Sequence, residues 1–349
     1  MAAVSARAFA AAVSALLAAA VLLASPSPVA AEEGCTRRPV VFSFGDSNTD
    51  TGGTSAALGS YLPLPEGRTH FRRSTGRLCD GRLVIDYLCE SLNMSYLSPY
   101  MEALGSDFSN GANFAIAGSG TMPRDRPFAL HVQVQQFVHL KQRSLQLISH
   151  GEKAPVDAEG FRNALYLIDI GQNDLSAAFS SGLTYDHVVH HRIPAMLSEI
   201  QDAIVTLFYD GAKNFWVHGT GPLGCLPQKL AEARNYDDGG DLDDSGCLRT
   251  LNNASTEFND QLCSICHKLT SQLKGATIVY TDILSIKYDL VANHSGYGES
   301  IVEQSVDQPG DTACILCFFV YGTLMFQGLR SHSWRAAATV GRLTTTTST

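Results

Sequence analysis

Apolar and polar residues alternate in blocks along the chain, and the blocks predict an α/β protein. Val40 to Phe44 is a short apolar run that stops at Gly45 and gives way to small polar residues, as a strand covered on both faces does at the edge of its sheet. Asn163 to Ile170 repeats that design and ends in Gly171-Gln172-Asn173-Asp174. Two more strands are expected at Asn214 to His218 and Ala276 to Tyr280. Helical spacing fills the intervals. Val134, Phe137, Val138, Leu145 and Ile148 mark a long amphipathic helix from Leu130, and Ile193, Met196, Ile200, Ala203, Ile204 and Leu207 mark another that Gly211 can cap. Leu248, Leu251, Phe258, Leu262, Ile265 and Leu269 give a third, while Asp80-Gly81-Arg82 and Asp282 open shorter ones. Strand and helix in alternation predict a three-layer α/β/α domain around a mostly parallel sheet.

The two ends differ from this pattern. Arg7 and an alanine-, valine- and leucine-rich run to Ala24, followed by Val29-Ala30-Ala31 before Glu32-Glu33, read as a secretory signal over residues 1–31 cleaved after Ala31. The rival reading, a retained anchor, suits the weakly hydrophobic run less well. After Gly298 the strand and turn signals thin out. Ala313 to Phe326 is mostly apolar but too short to span a bilayer comfortably, and Thr344 to Thr349 is low-complexity. Residues 299–349 are therefore expected to be a divergent tail, from an altered reading frame or splice form, with a buried segment as the alternative.

Composition narrows the partners. Of 349 residues the charged ones sum to a formal net charge of −9, with no long Lys/Arg run, which argues against nucleic acid or an anionic membrane surface. Nine cysteines in an exported chain should be largely paired, the odd count leaving at least one over. Cys225 and Cys247, flanking an acidic loop, are the preferred bridge. Sequons begin at Asn93, Asn253 and Asn293, of which one or two are expected to carry glycans.

The candidate chemistry centres on Ser47. The run Phe44-Gly45-Asp46-Ser47-Asn48-Thr49-Asp50-Thr51-Gly52 would present a serine at the carboxyl edge of the sheet, although an ordinary capped turn has the same spacing. It closely resembles the first block of the plant GDSL esterase/lipases, in the SGNH hydrolase superfamily with its flavodoxin-like fold. Gly111 to Gly120 resembles the second block and Gly171-Gln172-Asn173-Asp174 the third. The resemblance implies that Ser47 is the nucleophile and that its N–H, the N–H of Gly118 and the side-chain amide of Asn173 receive the oxyanion. It also implies a carboxylic-ester substrate and no cofactor, while the expected leader over residues 1–31 places the protein outside the cell, in the apoplast or cell wall.

The resemblance covers about Pro39 to Gly298, a hydrolase domain taken as residues 32–298, and then departs. The family's closing Asp-x-x-His block, which supplies the general base and its orienting aspartate, is not found: none of the 11 histidines has an aspartate three positions before it. His332, in Arg330-Ser-His332-Ser-Trp334, is the one candidate in the tail and lacks an orienting aspartate. This chain is therefore expected to be nearly inert, with a non-catalytic ester- or lipid-binding role as the alternative. The long segment Ser55 to Thr75 is read as a loop beside the serine that helps bind substrate.

Other patterns compete less well. Gly219-Thr-Gly221-Pro-Leu-Gly224 has dinucleotide-site spacing, but Pro222 opposes the helix that a pyrophosphate needs, and the stretch through Pro227 also resembles a structural block of the plant esterases. Cys263-x-x-Cys266 with Cys314-x-x-Cys317 is too widely separated for a zinc site in an oxidising compartment, and Asp241, Asp243 and Ser245 lack the closing glutamate of a calcium loop, so no metal is assigned. No Gly-x-Ser-x-Gly elbow surrounds Ser47.

Overall fold

The computed structural model describes residues 38–234 and 241–297. The expected leader and tail, with His332, Cys314 and Cys317, lie outside the described residues.

Five parallel strands form one sheet in the order β2-β1-β3-β4-β5: β1 Val41–Gly45, β2 Gly111–Asn113, β3 Leu165–Asp169, β4 Asn214–His218 and β5 Thr277–Thr281. Alternation along each strand sends side chains to two helical layers. Phe42 and Phe44 of β1, Tyr166 and Ile168 of β3, and Phe215 and Val217 of β4 meet one layer, made by α3 (Leu130–Ser149), α6 (Ile193–Tyr209) and α8 (Arg249–Gln272), which follows the short α7 (Pro227–Arg234). Val41, Leu167 and Trp216 meet the other, made by α2 (Val84–Ser91) and α9 (Ile283–Ala292). The first layer is rich in rings: Phe42 stacks on Phe161 at 5.4 Å and meets Phe137 edge-on at 5.0 Å.

The expected strands and long helices form with ends shifted by a residue or two. Asn163, expected in a strand, ends α4 (Ala158–Asn163), which Asp157 caps by accepting the Gly160 N–H at 2.7 Å. At the expected turn, the Gly211 N–H donates to the Phe208 carbonyl and the chain leaves α6 there. The segment Ser55 to Thr75 is not loop throughout. A short helix, α1 (Gly53–Leu58), occupies its start, because the Asp50 carboxylate accepts the N–H groups of Gly52, Gly53 and Thr54 and nucleates a turn.

The cysteines need a correction. Cys225 and Cys247 are bonded as expected, but Cys79, Cys89, Cys263 and Cys266 are free, so pairing is not the rule among the described residues. Burial pushes the thiols of Cys89 and Cys266 up to about 12, which disfavours the reactive thiolate.

Candidate active site

The carboxyl end of β1 approaches β3 so closely that a Cβ on Gly45 would stand 2.3 Å from the Asp169 carbonyl oxygen. Only a glycine fits there. Gln133, fully buried on α3, holds the same residue: its Oε1 accepts the Gly45 N–H at 2.8 Å, and its Nε2 donates to the Gly45 carbonyl at 2.8 Å. The chain then turns, with the N–H groups of Thr49 and Asp50 donating to the Asp46 carbonyl. Ser47 is left half-buried at the edge while Asp46 goes inward.

Two further segments are bound to this turn. Asp50 accepts the Ala117 N–H at 2.8 Å, and Asn113 donates to the Thr49 carbonyl at 2.5 Å, which fixes the stretch leading to Gly118 beside the serine turn. Gly118 is exposed, has φ +78°, and nothing lies within 4 Å of where its Cβ would be. Left-handed backbone beside open space is a place for glycine and for a ligand. On the other side, α5 (Gln172–Ser180) starts at Gly171 and carries Asn173 in its first turn. The Asp174 carboxylate accepts the Thr121 N–H at 2.9 Å and the Thr121 hydroxyl at 3.1 Å, tying the Gly118 stretch to α5. Burial raises the Asp174 carboxyl, and the bonds from Thr121 oppose that rise.

Asn173 joins the pieces. Its amide nitrogen donates to the Ser119 carbonyl at 2.9 Å and lies 3.3 Å from Asp46 Oδ2, so one carboxamide touches the residue before Ser47 and the residue after Gly118. The N–H groups of Ser47 and Gly118, by contrast, have no acceptor among the described residues. Donors left open at a sheet edge can take a developing negative charge.

Beneath them lie buried ionisable groups that sequence spacing did not reveal. Asp46 is completely buried, and its carboxyl is pushed up to about 8 by burial first and then by the neighbouring Asp169 charge. Asp169 ends β3 and its Oδ2 lies 3.1 Å from His218 Nδ1 at the end of β4. The pair is separated by 49 positions in sequence. Only the shared register of the two strands, in which Ile168 faces Val217, brings it together. Its one visible signal was a polar residue closing each of two adjacent buried strands. The His218 ring is 1 % exposed and its Nε2 has no partner among the described residues, so it is sealed from a ligand arriving at Gly118.

The chain matches the family described as GDSL-like Lipase/Acylhydrolase over residues 41–313. It belongs to that family. Relatives in Arabidopsis thaliana include GDSL esterase/lipase At1g09390, 55% identical over 269 residues, which cover 76% of this chain and 71% of that one. GDSL esterase/lipase LIP-4 is 51% identical over 281 residues, 79% and 73% of the two chains. A protein named Alpha-L-fucosidase 3 is 40% identical over 288 residues, 79% and 76%. By family, then, the protein is an ester-bond hydrolase on a three-layer α/β/α fold, and ester substrates are the partners that the family suggests.

In the esterase-like stretch Gly219 to Gly224, four N–H groups are spent. Gly219 donates to Thr281, Thr220 to Asn259, Leu223 to Ser255 and Gly224 to Asn252, the last three on α8. A phosphate would find no open donors at these four, and the loop is a clamp between β4 and α8.

Proposed function

We propose that Ser47 is the nucleophile of a carboxylic-ester hydrolase, with the N–H groups of Ser47 and Gly118 and the side chain of Asn173 receiving the oxyanion. The observation that carries this reading is the pair of backbone N–H groups without acceptors, bracketed by an asparagine that contacts the neighbour of each. Ser47 Oγ adds to the carbonyl carbon as its proton passes to a general base, the carbonyl oxygen gains charge among these donors, and collapse returns the proton to the departing alcohol; water, adding to the acyl-serine in the same way, releases the acid and restores the hydroxyl. The backbone donors hold their directions before substrate arrives, so little reorganisation accompanies the charge.

Glycoside hydrolysis, which the name of one relative suggests for that protein, needs two carboxyl groups flanking the scissile bond. Here Asp46, Asp169 and Asp174 are buried and engaged with protein groups, which favours the ester reading.

The base is the missing part. The sequence holds no Asp-x-x-His, and the Asp169–His218 pair is buried. Without a base the hydroxyl is a poor nucleophile, and loss of the corresponding histidine in a serine protease costs about 2 × 10⁶ in kcat. The chain as written is accordingly near inert, its residues after 298 forming a divergent end and residues 1–31 a leader that directs it outside the cell, to the apoplast or wall. A binder of esters or lipids is the rival. Hydrolysis of short-chain aryl esters discriminates: background is expected from this chain and from Ser47→Ala, and a Ser47-dependent gain from a version given a family-like Asp-x-x-His end. Background from that version too would favour the binder.

A further inference from the structure

We infer that Asp46 is a positioning residue that gates the Asn173 oxyanion donor: its ionised carboxylate holds one Asn173 N–H away from the substrate, and the neutral acid releases it. The inference rests on the role proposed above for Asn173. A carboxamide nitrogen carries two hydrogens. The Ser119 carbonyl takes one at 2.9 Å and Asp46 Oδ2 takes the other at 3.3 Å, so in this arrangement Asn173 has none left for an oxyanion. The two bonds differ. The first anchors the amide, while the second is long and is the one that yields.

The surroundings of Asp46 determine when it yields. Its Oδ1 is held by the N–H and side-chain amide of Asn48, both at 3.0 Å, which leaves Oδ2 turned to Asn173. Charges reach it from three elements: Asp169 at the end of β3, itself paired with His218; Asp174 on α5; and Lys287 on α9. The two carboxylates and burial favour the neutral acid, and Lys287 and the Asn48 N–H favour the anion. The balance lets Asp46 change charge near neutral pH. When it is neutral, a protonated Oδ2 is a poor acceptor and the amide N–H turns to the stronger acceptor, an oxyanion. Neutralisation also removes a negative charge that would repel the oxyanion, so both effects act in one direction.

Phenylboronic acid tests this on the full chain without turnover. Ser47 Oγ adds to boron, its proton leaves to water, and the tetrahedral anionic boronate places an oxygen where the oxyanion would be, read by ¹¹B NMR and by affinity. At pH 9 Asp46→Asn should bind at least about tenfold more tightly than the unmodified chain, as expected for one hydrogen bond to a charged group, and the ratio should fall towards one by pH 6. Affinity ratios that do not change with pH overturn the inference while leaving the site reading intact. An adduct that survives Ser47→Ala, or none in either protein, overturns the site reading and the inference with it. Should Asp46→Asn fail to fold by circular dichroism, the unmodified chain labelled with ¹⁵N-asparagine gives the answer. The Asn173 side-chain resonances, assigned by their loss in Asn173→Ala, should shift between pH 6 and 9, and a flat titration overturns the inference.

Discussion

Gln133 grips Gly45 with both ends of one carboxamide, accepting from its N–H and donating to its carbonyl, each at 2.8 Å. The bond pair is fully buried and lies at the residue where β1 gives way to the serine turn. Replacing Gln133 by leucine leaves the Gly45 N–H without its acceptor in a dry site, at a cost of about 1–3 kcal/mol, while the Gly45 carbonyl keeps the Ile116 N–H at 3.2 Å. Urea unfolding should give a loss of about 1–3 kcal/mol for Gln133→Leu, and a loss below about 0.5 kcal/mol would show that the clamp is not needed.

Arg77 and Asp86 form a buried, two-point ion pair at 2.7 and 2.9 Å, and Asp86 also accepts the Leu83 N–H at the start of α2. Arg77→Met strands that carboxylate and should cost about 3–5 kcal/mol. The double variant Arg77→Met/Asp86→Leu removes the stranded charge and should be more stable than the single one. A double variant less stable than Arg77→Met would contradict this account of the pair.

Cys225 and Cys247 close a loop with a sequence separation of 22. Confining the unfolded chain by a loop of that size is worth about 3 kcal/mol in the chain-entropy model. Changing both residues to alanine should lower the urea midpoint accordingly, and an unchanged midpoint would mean that the bridge adds nothing.

Asp46 makes stability depend on pH with a definite sign. Its carboxyl is raised from an ordinary 3.8 to about 8, so between those values the folded protein holds a proton that the unfolded chain has released. Stability contributed by Asp46 is full below about pH 4 and is lost as pH rises towards 8, by an amount on the order of a few kcal/mol. Unfolding measured in steps from pH 5 to 9 should show a decline that is steeper in the unmodified chain than in Asp46→Asn. Parallel curves would remove Asp46 as its source.

Much of this architecture is written locally. Runs such as Val40 to Phe44 and Asn214 to His218 must be buried, and their period, their glycines and the helical spacing between them suffice for the layers, for four of the five strands and for approximate ends; the three-residue β2, Gly111–Asn113, is too short to show a period and was not expected. The serine turn and the Gly171-Gln172-Asn173-Asp174 turn were legible for the same reason, since each follows directly from the strand before it. Helix α1 was not, because what starts it is one carboxylate at Asp50 rather than a periodic pattern.

Contacts between distant residues belong to the packed molecule. Nothing in the sequence near Gln133 pointed to Gly45, and nothing near His218 pointed to Asp169. Such pairs exist because parallel strands bring their carboxyl ends side by side and a helix crosses them at one height. The same holds for the Asp46 carboxyl. Its residue type was plain from the chain, but its proton affinity depends on burial and on the charge of a neighbouring strand, which arise only when the sheet closes around it.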